Sequence, residues 1–132
     1  MNDTNEIIKK NCKTREFRSI LINTLSYLLN DICKENDISH LNNNERIIPF
    51  LTKRNKQSLT IKKYLENLVK VTQIESSTLI AMLIYIDRLC EINNFVVNSL
   101  NVYRIISSSF VIAINIMKKK ILIMNFFLNL LE

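Results

Sequence analysis

The chain has 132 residues, 48% of them hydrophobic, and a formal net charge of +6. That length suits one domain or a piece of one, and that apolar content excludes a disordered segment. Glycine is absent, which excludes the phosphate-cradling loops that need backbone close to a ligand and argues against tight hairpin turns.

The N-terminal stretch MNDTNEIIKKN has no apolar core of the kind a secretory signal requires, so no such signal is expected. From about Thr14 to Lys34, Phe17, Leu21, Leu25, Leu28 and Ile32 recur at three- or four-residue spacing, with Ile20 and Leu29 beside them. This periodicity predicts an amphipathic helix, with Thr14 or Ser19 as its cap. The polar run at 34–46, with three consecutive asparagines, reads as a linker. His40, the only histidine, falls in that run and has no second histidine with which to build a metal site. The chain's only proline, Pro49, biases Ile48 toward an extended conformation.

A second helix is expected at about 58–71, capped by Ser58 or Thr60, with Ile61, Tyr64, Leu65 and Leu68 inward. A third, at 76–91, has Ser76 and Ser77 as capping candidates. It is apolar nearly all round, so Leu83 and Ile84 are expected among the most buried residues. Asn93-Asn94 should end it. A fourth helix is expected from Asn98 or Ser99 to Met117, with Val102, Ile105, Ile106, Phe110 and Ala113 inward and Ser107 to Ser109 permitting close helix approach. Ile105–Met117 gives 13 uncharged residues and Ile121–Leu131 gives 11, separated by Lys118, Lys119 and Lys120. A membrane span needs about 20, so no transmembrane segment is predicted.

Cysteines at 12, 33 and 90 lack metal-ligand spacing and read as free buried thiols. Residues 47–65 include Lys53, Arg54, Lys56, Lys62 and Lys63 and no acid. A solvated linker running into a helix explains this strip better than a nucleic-acid patch, since no tryptophan or interleaved aromatic accompanies it. No catalytic, cofactor or metal residues are predicted.

Three ordered blocks carry a family resemblance. Leu83-Ile84-Tyr85-Ile86-Asp87-Arg88-Leu89 resembles the most recognisable stretch of the cyclin box. Asn98-Ser99-Leu100-Asn101-Val102-Tyr103-Arg104-Ile105 resembles the N-S-L-N-V-H-R-L segment of P/U-type cyclins. Upstream, Phe50, Lys53-Arg54 and Ser58 to Leu68 resemble that group's approach to the first box helix. The implied fold is all-α, a cyclin-like helical bundle, incomplete: an N-terminal helix and the first three box helices. The implied division is an N-terminal helix and linker (1–46), a partial box (47–117) and an atypical apolar tail (118–132).

The resemblance implies a non-enzymatic regulatory subunit, cytoplasmic or nuclear, that binds and activates a cyclin-dependent protein kinase. A rigid surface that prefers the active kinase conformation is what this requires. The third box helix and the basic strip supply the candidate contacts: Lys53, Arg54, Ile105, Ser109, Ile112 and Asn115. Asp87, Arg88 and Tyr85 are assigned structural roles, with Asp87 capping or pairing inside the box. A scaffold that binds without activating, or a basic module for nucleic acid or membrane surfaces, are the alternatives.

Asn115 stands where the family has a kinase-contacting lysine, Tyr103 where it has histidine, and Asn67 where it has arginine. The pattern is lost after Ala113. Residues from about Asn115 onward are therefore expected not to be the native continuation of the domain. One inserted adenine after Ile114 would let suitably chosen codons restore a family-like Lys-Tyr-Tyr-Glu run. Such a product is expected to be marginally stable.

Overall fold

The computed structural model describes residues 2–42 and 59–131, and these form four helices with no strand among them. They are α1 (Asn2–Asn42), α2 (Ile61–Thr72), α3 (Ser76–Asn93) and α4 (Val102–Leu130). The helix α1 packs on α2 and α3, and α3 packs most extensively on α4. One core joins Ile22, Leu25, Leu29 and Cys33 of α1 to Ile61, Leu65 and Val69 of α2. Leu79, Met82 and Ile86 of α3 and Val102, Ile105, Ile106, Phe110 and Ala113 of α4 complete it, with Val97 from the loop. The fold is all-α, as the periodicity implied.

The helix α1 is 41 residues long, about twice the predicted span. Nothing between Asn2 and Asn42 breaks a helix, since that stretch holds neither proline nor glycine. Thr14 does not cap. Its hydroxyl donates to the Lys10 carbonyl four residues back, at 2.9 Å, which lets a threonine sit inside a helix without breaking it. Ser19 is likewise internal, and the expected linker is helical as far as Asn42, His40 included. The buried stripe is also rotated from the predicted one. Ile22, Leu25, Ser26, Leu29 and Cys33 face the core, whereas Phe17, Leu28 and Ile32 are exposed.

In α2, Ile61 and Leu65 are buried as predicted, Tyr64 and Leu68 are half-buried, and Val69, beside the predicted stripe, is buried with them. Thr60 is the cap, accepting from the Lys63 N–H at 3.2 Å. Ser58 lies outside the described residues.

The helix α3 corrects the sequence reading. Its inward residues are Thr78, Leu79, Met82 and Ile86. Leu83 is only half-buried, and Ile84 is 47% exposed. Neighbours pack on one side of α3, so its all-round apolar character leaves Ile80 and Ile84 facing out. Its start has no side-chain cap: Glu75 is the N-cap residue, and the Ser76 and Ser77 hydroxyls have no hydrogen-bond partner among the described residues.

A chain without glycine must end its helices otherwise. Gln73 closes α2 at φ 50° and Asn94 closes α3 at φ 51°, both left-handed. Asparagine tolerates this region, but glutamine bears the full steric cost of its Cβ. Replacing Gln73 by glycine should stabilise the chain by about 1 kcal/mol, read as a higher urea midpoint at unchanged slope. An unchanged or lower midpoint would contradict a strained cap.

The helix α4 does not stop at Met117. It runs unbroken through Asn115 and Lys118–Lys120 to Leu130, because lysine favours helix almost as well as alanine. The loss of family pattern expected after Ala113 thus falls inside one continuous helix. No helix among the described residues is long and apolar enough to cross a membrane.

Candidate functional site

The loop between α3 and α4 organises the surface that α4 presents. Asn98 and Asn101 are both buried and interlock. The Asn98 side-chain oxygen accepts from the Asn101 N–H at 3.1 Å and from the Leu100 N–H at 3.0 Å. In return, the Asn101 side-chain oxygen accepts from the Asn98 N–H at 2.8 Å. This reciprocal exchange is a capping box built from two asparagines. Asn101 also donates from Nδ2 to the Val96 carbonyl at 2.8 Å. The predicted cap at Asn98 is thus present, one turn ahead of the regular helix.

The far end of α1 holds this turn in place. Asn36 Nδ2 donates to the Val97 carbonyl at 2.7 Å. The Ser99 N–H donates to Asp37 Oδ1 at 3.1 Å, and the Ser99 hydroxyl donates to Asp37 Oδ2. Sequence reasoning gave Asn36 and Asp37 to a solvated linker. Only their helical phase and a contact partner some 60 residues away reveal the role.

Aromatic side chains fasten the other flank of α4. Tyr64 and Tyr103 meet edge to face, with centroids 5.2 Å apart at 84°. The Tyr64 hydroxyl bonds Ser107 Oγ, and the Tyr103 hydroxyl donates to the Leu59 carbonyl. Burial raises the Tyr103 phenol above its ordinary value, with Cys33 and then Tyr64 adding to the shift. Cys33 is itself pushed up to about 12, chiefly by burial and secondly by the Asp37 carboxylate. It therefore stays a neutral thiol and behaves as a small core residue. Cys90 is half-buried and raised for the same first reason, with Asp87 second. Cys12, expected to be buried, is exposed.

The predicted interface residues separate on this frame. Ile105 and Ser109 point into the chain's own core, at 6% and 0% exposure. They shape α4 from within and present no surface to a partner. The Ser109 hydroxyl has no hydrogen-bond partner among the described residues. Ile112, 42% exposed, and Asn115 point outward. Val111 and Ile116 lie exposed beside them, and the same outer face continues back through Ser108 and Arg104. Lys53 and Arg54 lie outside the described residues.

Tyr85 is half-buried and packs against the core, in keeping with a structural role. Asp87 and Arg88 are both exposed, and neither makes an ion pair among the described residues. Among the described residues Asp87 has none of the pairing expected of it inside the box. Both side chains are exposed on the outer side of α3, where a charge needs no buried partner.

An open cleft between α1 and the start of α3 is lined by Lys10, Lys13 and Arg18 together with Glu75, Ser76 and Ser77. Its two serine hydroxyls have no hydrogen-bond partner among the described residues, so neither is linked to a base. Among the described residues no group of side chains is placed to hold a metal ion. What the arrangement offers is a braced helix with an apolar outer face.

The Cyclin family profile matches residues 7–125. The match spans most of the chain, and the protein belongs to the cyclin family. It begins in α1 and continues ten residues beyond Asn115 into the second half of α4. No curated protein and no solved structure matches the chain. Membership supports a regulatory, cyclin-like role.

Proposed function

We propose that the chain is a regulatory subunit of the P/U cyclin type that binds and activates a cyclin-dependent protein kinase in the cytoplasm or nucleus. The outer face of α4 is the binding surface. One observation carries this reading: α4 is fixed by the asparagine capping box, by Asn36 and Asp37 of α1, and by the tyrosine pair. It thus presents Val111, Ile112, Asn115 and Ile116 as a preformed patch. A preformed surface spends little entropy on ordering, so its contacts can favour the active kinase conformation. Asn115 replaces the charged family contact with a neutral one, which leaves the apolar pair Ile112 and Ile116 as the expected anchors. Lys53 and Arg54 remain candidates for a second contact.

The test is affinity purification of the tagged chain from its native cells, followed by mass spectrometry and a phosphotransfer assay. A cyclin-dependent kinase should co-purify and gain activity. Ile112→Glu should weaken capture at least about tenfold, the usual effect of truncating or charging an interface anchor, while far-UV circular dichroism stays unchanged. Full binding by that folded variant would exclude this face. Binding without added phosphotransfer would make the chain a scaffold, and no kinase at all would defeat the reading.

A further inference from the structure

The core-facing stripe of α4 does not end where the core ends. Ile106, Phe110 and Ala113 are buried, and the same three- and four-residue spacing continues through Met117, Ile121, Met124, Leu128 and Leu131. Beyond Met117 the stripe lies open. Ile121 is 47% exposed, Met124 56%, Leu128 55% and Leu131 85%.

We propose that this segment pairs antiparallel with the same segment of a second copy of the chain, about a twofold axis near Met124. Charge supports the occupant and its direction. One end of the segment carries Lys118, Lys119 and Lys120, and the other is a helix C-terminus, the partially negative end of the helix dipole. Antiparallel copies set each lysine triplet against the partner's carbonyl end, whereas parallel copies would set six lysines side by side. The stripe is self-complementary under that rotation, with Met117 opposite Leu131 and Met124 opposite itself, as an isologous contact requires.

Area agrees. The four open side chains hold about 100 Å² each, and with the exposed remainder of Met117 the pair would cover about 800–1,000 Å² in all, at the small end for a specific interface. A membrane surface fits less well. Helices that lie on bilayers spread their cations along the polar face, but opposite this stripe stand Leu122, Phe126 and Asn129, and the lysines cluster at one end.

Sedimentation equilibrium of the full chain in reducing buffer tests this. A monomer–dimer equilibrium is expected, with a Kd of roughly 10–100 µM for an interface of this size. Met124→Glu should raise Kd at least about tenfold with the same circular dichroism. Replacing Lys118, Lys119 and Lys120 by glutamine should weaken the dimer several-fold, whereas strengthening it would indicate parallel copies and overturn the arrangement. A chain that stays monomeric at about 100 µM would overturn the pairing, as would association indifferent to Met124→Glu. So would a monomer that binds phosphatidylserine vesicles through Met124.

Discussion

Leu79→Ala should destabilise the chain by about 2–5 kcal/mol, measured by urea unfolding. Leu79 is fully buried in α3, between the contacts of that helix with α1 and with α4. Truncation there removes apolar contact and leaves a cavity that three braced helices cannot readily collapse. Leu83 is the control. It lies four residues on in the same helix and is only half-buried, so Leu83→Ala should cost about 1 kcal/mol. Equal costs at the two positions would mean that α3 is rotated from the orientation described.

Asn101→Ala should cost about 2–4 kcal/mol, and it should act through orphaned partners, leaving no cavity of consequence. Its side chain accepts from the Asn98 N–H and donates to the Val96 carbonyl at a site closed to water. Removing it leaves a donor and an acceptor without partners in the interior, and each carries a desolvation penalty. Asn98→Ala breaks the other half of the box, so the two losses should overlap. A double-mutant cycle should show coupling of about 1–2 kcal/mol. Strictly additive losses would mean that the two side chains act separately.

The resemblance at Asn98 to Ile105 was readable without coordinates, but its physical content was not. Residue types at a spacing of three suggest a cap, and only the folded turn shows that both asparagines cap each other. Likewise the inward face of α2 was legible in Ile61, Tyr64, Leu65 and Leu68, because that helix is strongly amphipathic, although Val69 beside them is the more deeply buried. The helix α1 has two neighbouring apolar stripes, one through Phe17, Leu28 and Ile32 and one through Ile22, Leu25 and Leu29. Which of them is buried depends on the position of α2 and α3, which periodicity does not contain. The same holds for α3, where Ile80 and Ile84 are as apolar as Leu79 and Met82 but face away from every neighbour. At the candidate surface, helical spacing correctly grouped Ile105, Ser109, Ile112 and Asn115 on one helix. It did not say where that helix turns from core to solvent. Ile105 and Ser109 lie on its inner face with Phe110 and Ala113, and Ile112 and Asn115 on its outer face.

The bonds from α1 to the loop before α4 join residues 61 and 62 positions apart. A ribosome adds about 5–20 residues each second, so Asn36 and Asp37 wait roughly 3–12 s after their own synthesis before Val97 and Ser99 exist. Through that interval the apolar stripe of α1 has α2 as its earliest cover and no loop to bind. Nascent chains halted just after Asp37 and just after Ser99 emerge would therefore differ in how strongly they need a chaperone.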